Sequence, residues 1–296
     1  MINKLKFFIV VNFNARRNKK LLNQVINLLK NDHDIEVFES HSKNTAKEVF
    51  KTLSSKIFDR LVIAGGDGSF NFAINEIFQH PSLLKKEIGY IPIGTTNILR
   101  VEMQVQKNAK AIAKVLITGN TKKINLTKIN DQLFFLMAGI GFDGKIVASI
   151  NTRIKKLFGK IIFLLKGLQY FLFLKNEKME VLFDNKKIKA DWILSTNSKY
   201  YAGANKITKM TNIFQGNVVT YIFKDLTRVK LLYYVFLIVF YGDLSKAKSI
   251  ITTQSKYIKI NKLNSELVVQ VDGELFNSKE NVEITQTDQF INFLVP

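Results

Sequence analysis

Two glycine-rich turns and one late acidic turn carry most of the residues in this chain that could do chemistry. In LVIAGGDGSFNFAINEI (61–77) an apolar run stops at Gly65-Gly66-Asp67-Gly68 and resumes with a helical pattern. Bare backbone at the start of a helix presents free amides and the positive end of the helix dipole, a site for an anion, most often a phosphate. Ser69 stands where an N-cap is expected, so its hydroxyl would cap the helix or touch a phosphate. Asp67 would repel a phosphate unless Mg²⁺, water or a ribose hydroxyl mediates. Taken alone, the glycine cluster is equally well explained as a plain strand-to-helix turn.

A second cluster, YIPIGTTNILR (90–100), has the same form: an apolar strand, then Gly94, Thr95, Thr96 and Asn97, then a helix. In a parallel sheet the carboxyl ends of neighbouring strands lie side by side, so both turns would face one crevice. Asn12 ends the first apolar run, with Arg16 and Arg17 behind it, and Ser40 ends the second. A third motif, VVQVDGELF (268–276), places Asp272 and Glu274 around Gly273, after a run suited to a strand. A carboxylate there could serve as a general base, although spacing alone favours an ordinary hairpin acid.

The elements that must position these residues change character along the chain. LKFFIVVN, IEVFE, RLVIAGG and EIGYIPIG read as strands. They alternate with helical segments, among them NKKLLNQVINLLKN, with Leu21, Leu22, Val25, Leu28 and Leu29 on one face. Such alternation predicts a parallel α/β sheet. Beyond about residue 122 the runs are short, alternating or apolar, and separated by Asn, Asp, Gly and Lys turns, which predicts hairpins. The expected fold is therefore α/β: a parallel-sheet nucleotide-binding domain over 1–122, then a β-rich, sandwich-like domain over 123–284. The C-terminal 285–296 is a candidate to return to the first domain.

Composition removes several function classes. With 296 residues, 47% of them hydrophobic, the chain can bury one large or two ordinary cores. The absence of cysteine excludes disulfides, thiolate metal sites and cysteine nucleophiles. Three histidines, none spaced as a ligand pair, argue against a histidine zinc site. The net charge of +20 favours polyanionic partners, though a lysine-rich composition explains it as well. Aromatics do not interleave the basic runs as a base-stacking platform requires, so nucleic acid is not expected as a partner. The longest charge-free run, LLYYVFLIVFYG (231–242), is too short to span a bilayer as a helix and reads better as core. A soluble, cytoplasmic protein is expected. The basic amphipathic segment 151–175 would attach it peripherally to an anionic membrane surface.

In order, GGDGS, PIGTTN, AGIGFDGKIV (138–147), STNSKYYAGANKIT and VVQVDGELF resemble the catalytic domain of diacylglycerol and sphingosine kinases, above all the bacterial diacylglycerol kinase-like lipid kinases. The resemblance spans nearly the whole chain. It implies a nucleotide-binding α/β domain and a β-sandwich-like domain with the active site between them. It further implies ATP and Mg²⁺, transfer of the γ-phosphoryl group to a hydroxyl of a lipid such as diacylglycerol, and a role in phospholipid metabolism. ATP contacts would come from Asn12, Ser40, Gly65, Gly66, Asp67, Gly68, Ser69, Asn71, Gly94, Thr95 and Asn97. Glu274 would be the general base, Asp272 its support, and Asp67 a further catalytic acid; no metal ligand is assigned.

The sequence departs from the family pattern where Phe13 replaces proline and Ser69 replaces threonine. Ile98, Asn125 and Gln215 stand where relatives often carry aspartate, which weakens any network that would organise Mg²⁺. The alternatives are a catalytically impaired homologue that binds nucleotide or lipid, and an NAD kinase-like enzyme, since GGDG is shared with NAD kinases.

Overall fold

The computed structural model describes residues 4–12, 18–149, 178–201, 203–263, 266–277 and 281–296, together with positions 167, 169, 171 and 172. Phe13, Arg16, Arg17 and nearly all of the basic segment 151–175 lie outside the described residues. Two compact units are formed, one from Met1–Ile124 and Gln289–Pro296, the other from Asn125–Asp288.

The first unit runs β1 (Lys6–Asn12), α1 (Lys19–Lys30), β2 (Asp34–Ser40), α2 (Lys43–Leu53), β3 (Arg60–Gly65), α3 (Asp67–Phe78), α4 (Pro81–Leu84), β4 (Glu87–Pro92), α5 (Ile98–Met103) and α6 (Ala109–Thr118). β5 (Asn120–Ile129) then leads the chain out of it. The four strands pair in the order β2-β1-β3-β4, all parallel, as the alternating pattern predicts. β1 and β3 sit inside the sheet and bury nearly every residue, whereas β2, at the edge, alternates and carries Asp34, Glu36 and Glu39. Helix α1 buries Leu21, Leu22, Val25 and Leu29, the stripe its spacing predicts, with Leu28 half-buried. Phe8 stacks on Phe58 with ring centroids 4.5 Å apart.

The second unit contains β6 (Gln132–Phe134), β7 (Met137–Gly141), α7 (Phe142–Ala148), β8 (Met179–Phe183), β9 (Lys186–Ala190), β10 (Trp192–Thr196), β11 (Tyr200–Tyr201) and β12 (Asn205–Lys206). It continues with β13 (Val219–Phe223), α8 (Arg228–Tyr241), β14 (Ile250–Thr253), β15 (Tyr257–Lys262), β16 (Val268–Val271) and β17 (Glu274–Asn277). The last strand, β18 (Val282–Val295), starts in the second unit and ends in the first, where Asn292 and Phe293 pair in parallel with Glu87 and Ile88 of β4. One antiparallel sheet has the order β14-β13-β10-β7-β16-β17. The strands β15, β8 and β9 continue from the first half of β18 in the other.

A common core including Ile140, Ile193 and Val269 from one sheet and Val181, Ile258 and Ile284 from the other makes this unit a sandwich. The hairpins turn where polar residues break the apolar runs. Asp184-Asn185 and Asp272-Gly273 are two-residue loops with φ positive at both positions, the geometry that matches strand twist. Segment 231–241 departs from its expected place in the core. As part of α8 it buries Leu231, Tyr234 and Leu237 and leaves its other large side chains outward or half-buried.

Candidate active site

Parallel pairing brings four strand ends of the first unit to one edge. Asn12 lies opposite Ser40, Val11 opposite Ala64 and Gly65 opposite Pro92. Helix α3 begins immediately, with Gly66 extended (φ −97°, ψ −177°) as its N-cap and no side chain capping it. This corrects the placement of Ser69 as the cap. The helix starts three residues earlier than a Ser69 cap would set it, so Ser69 falls in its first turn and accepts a hydrogen bond from Asn12 Nδ2 at 2.8 Å. The first-turn amides of Asp67, Gly68 and Ser69 have no acceptor within the helix.

The two glycine turns are in contact. A Cβ on Gly94 would lie 2.4 Å from Gly66 Cα, closer than side-chain carbons approach, so position 94 requires glycine for space alone, while a Cβ on Gly66 would meet Gly94 Cα at a tight 3.3 Å. The amides of Ile93 and Gly94 donate to the Gly65 carbonyl at 3.0 and 3.2 Å. Asp67 is the fastener between the turns: its carboxylate oxygens accept from the amides of Ile98 at 2.8 Å and Leu99 at 3.1 Å. The puzzle of an acid beside an anion site thereby has a physical answer, because this charge is spent on the first amides of the next helical segment.

Asn97, expected to contact nucleotide, is turned inward instead. It is 2% exposed, sits at φ 51°, accepts from Tyr90 Oη at 3.0 Å and donates to the Gly94 carbonyl at 2.8 Å. Burial holds the Tyr90 phenol far above its ordinary pKa, aided by the nearby Asp67 charge, so it remains a donor to Asn97. Asn97 therefore shapes the Gly94 turn. Asn71 is also buried, with its side-chain oxygen receiving a hydrogen bond from Asn75 at 3.3 Å. Ser40 is buried and donates to the Val11 carbonyl at 3.2 Å, while Thr95 is exposed on its turn. Asn12, Gly65, Gly66, Asp67, Ser69 and Gly94 thus form one cradle, and Asn97 and Asn71 support it from within.

The acidic motif belongs to the second unit. Asp272 and Gly273 form the tight turn between β16 and β17, and Glu274 opens β17 opposite Val271, exposed. Asp272 is 9% exposed and its carboxylate accepts three backbone hydrogen bonds, from Phe135 (3.2 Å), Leu136 (2.9 Å) and Met137 (2.8 Å). Its own amide donates to the Met137 carbonyl at 2.8 Å. These bonds clamp the turn to the segment entering β7.

A second clamp escaped sequence reasoning. Gln270 accepts from the Gly273 amide at 2.8 Å and donates to Asp143 Oδ2 at 2.6 Å, and the other Asp143 oxygen accepts from Tyr201 Oη. Asp143 is buried, which pushes its carboxyl pKa up, while the two donors pull it down. These contacts join residues 58 and 127 positions apart, so no local spacing announces them. The GFDG motif was the only visible signal.

Gly216, the neighbour of Gln215, lies against Asn125, since a Cβ on it would meet Asn125 Nδ2 at 2.6 Å. Around them the loop closes on itself, with the Asn217 side chain donating to the Met210 carbonyl and Asn212 accepting from the Phe214 amide. Among the described residues, no group of three or more Asp, Glu or His side chains could hold a metal ion.

Residues 6–129 match the family model described as the diacylglycerol kinase catalytic domain. The chain is diacylglycerol kinase-like. A diacylglycerol kinase of Staphylococcus carnosus (strain TM300) is 24% identical over 264 residues, covering 83% of this chain and 84% of the relative. One from Staphylococcus aureus (strain Newman) is 24% identical over 243 residues, covering 81% and 75%. A crystal structure of a diacylglycerol kinase from Bacillus anthracis str. Sterne shares the fold with a TM-score of 0.80 at 19% identity, covering 100% of this chain and 99% of that one. The expected α/β plus β-rich fold and the resemblance carried by GGDGS and PIGTTN both stand. The family resembled is one of lipid kinases. No helix among the described residues is long and apolar enough to cross a membrane.

Proposed function

We propose that this protein is an ATP-dependent lipid kinase that transfers a γ-phosphoryl group to the hydroxyl of a diacylglycerol-type lipid at an anionic membrane surface on the cytoplasmic side. The observation that carries this reading is the contact between Gly66 and Gly94, which sets two backbone-lined turns side by side at one sheet edge, at the start of helix α3. Such a cradle suits a polyphosphate, because phosphoryl transfer asks the protein mainly to position reactants and neutralise charge. The amides of residues 66–69 and of Thr95 would hold the phosphates, with Asn12 and Ser69 beside them. Mg²⁺, bound in kinase sites largely through substrate phosphates, would accompany the nucleotide.

The acceptor is an alcohol and needs a base to become a good nucleophile. In the proposed reaction Glu274 takes the hydroxyl proton, the hydroxyl oxygen bonds to the γ-phosphorus, and the bond to the β-phosphate bridging oxygen breaks to release ADP. Asp272 acts by holding the turn that presents Glu274.

The test is labelled phosphate transfer from ATP to a panel of diacylglycerols, sphingoid bases and NAD. Label in the diacylglycerol is expected, and its loss by at least a hundredfold in Glu274→Gln with an unchanged melting temperature. Label in NAD alone would replace the lipid-kinase reading with the NAD kinase one. The loss of carboxylates at Ile98, Asn125 and Gln215 favours a second reading, a homologue that binds nucleotide or lipid without turnover. ATP binding with no transfer to any acceptor would select it.

A further inference from the structure

Helix α8 is apolar on both its sides. Leu231, Tyr234 and Leu237 anchor it to the second unit, with Tyr234 packed on Phe223 at 5.2 Å and its hydroxyl 3.1 Å from Ser249 Oγ. The opposite side carries Val229 (76% exposed), Leu232 (59%), Tyr233, Val235, Phe236, Val239 (65%), Phe240 (71%) and Tyr241. Positions 229, 232, 233, 236, 239 and 240 recur at three- and four-residue steps, so they form one continuous stripe about 17 Å long. No acidic residue occurs in the helix. A surface helix normally turns polar side chains outward, and a contiguous outward apolar stripe marks an interaction surface.

The charges around the stripe say what covers it. From 224 to 248 the sequence carries Lys224, Arg228, Lys230, Lys246 and Lys248 against two acids. Of those acids, Asp243 is buried and caps Ser245, and Asp225 is paired with Lys178 at 2.8 Å. Lys246 reaches over the Tyr241 ring at 4.5 Å, and Lys206 packs against Gly242, at the end of the helix. An apolar stripe framed by cations fits an anionic lipid surface, where the stripe enters the acyl boundary and the cations meet headgroups. A second copy of the chain would set the same cations against each other, on a protein already at +20.

We infer that α8 is the element that docks this protein on anionic membranes, laying Val229, Leu232, Phe236, Val239 and Phe240 into the lipid surface. The inference rests on the lipid-kinase reading for its purpose and deepens it by naming the surface that meets the substrate's phase.

The experiment compares the wild type with Val239→Ser/Phe240→Ser in co-sedimentation with phosphatidylglycerol–phosphatidylcholine vesicles. Both side chains point outward, so the melting temperature is expected to be unchanged. Removing two large apolar contacts should weaken vesicle binding by at least tenfold, and binding by the wild type should fall as salt rises. Wild-type binding by the variant overturns the inference. So does a wild type that sediments as a dimer and a variant that sediments as a monomer without vesicles, because a second copy then covers the stripe. Phosphorylation of a short-chain diacylglycerol in solution is measured in parallel. Retained activity in the variant, with vesicle binding lost, supports α8 as a docking element separate from catalysis. A wild type that binds vesicles through α8 yet phosphorylates no lipid leaves the docking surface standing and removes the kinase reading.

Discussion

Gly94→Ala is the perturbation that bears hardest on the cradle. The added carbon would sit 2.4 Å from Gly66 Cα, 2.8 Å from Asn97 Oδ1 and 3.0 Å from the Gly66 amide nitrogen. Two of these neighbours are backbone, so rotating a side chain cannot relieve the clash. To restore the 3.4 Å of ordinary contact the two turns must part by about 1 Å. Such overpacking costs about 1–3 kcal/mol. A misplacement of about 1 Å at a reacting centre costs about a hundredfold in rate.

The expected outcome is a folded protein whose ATP affinity and kcat/KM both fall, the latter by about two orders of magnitude. Titration calorimetry with ATP and a labelled-transfer assay read these two quantities. Gly89→Ala serves as the contrast: its Cβ would meet Leu116 Cδ2 at 2.3 Å, a movable side-chain end away from the cradle. That variant should lose stability while its folded fraction binds ATP normally. Unchanged ATP affinity in Gly94→Ala would refute the reasoning.

Three further outcomes follow from the second unit. Asp272→Ala removes the acceptor from three buried amides, so urea unfolding should show a loss of at least about 3 kcal/mol, at roughly 1–3 kcal/mol for each orphaned group; a loss under about 1 kcal/mol contradicts the clamp. Gln270→Leu keeps similar bulk but releases the Gly273 amide, and should lower kcat about tenfold or more while the KM for ATP stays put. A change in KM alone would mean that Gln270 does not position Glu274. Asp143 is held by burial above its ordinary value of 3.8, so between that value and its folded pKa the folded chain binds more protons than the unfolded one. Stability should therefore fall as pH rises through this window, and Asp143→Asn should flatten the slope; equal slopes in the two proteins would contradict the assignment.

The parallel sheet was legible in the sequence because its strands are short apolar runs and its helices carry a clean stripe, as in Leu21, Leu22, Val25 and Leu29. The meeting of the two glycine turns was legible too, since parallel strands end at a common edge and both motifs follow such strands. What each polar residue does within the cradle was not. Asp67 and Asn97 look like ligands in one dimension, yet in the fold they bond the amides of Ile98 and Leu99, the Gly94 carbonyl and the Tyr90 hydroxyl, partners that only the folded turns supply. The Ser69 cap was misplaced because the N-cap preference for serine competes with an extended Gly66, and the glycine wins the position. Of the Tyr201–Asp143–Gln270–Gly273 chain only the GFDG motif showed, because its contacts join residues 58 and 127 positions apart. Segment 231–241 misled for another reason: an apolar run carries no mark of which side faces solvent.

A crystal structure with a non-hydrolysable ATP analogue tests the central claim most directly. The account predicts phosphate oxygens within hydrogen-bond distance of the amides of Gly66–Ser69 and of Thr95, beside Asn12. An analogue bound with its phosphates away from both turns, or with the adenine filling the Gly66–Gly94 crevice, would contradict it.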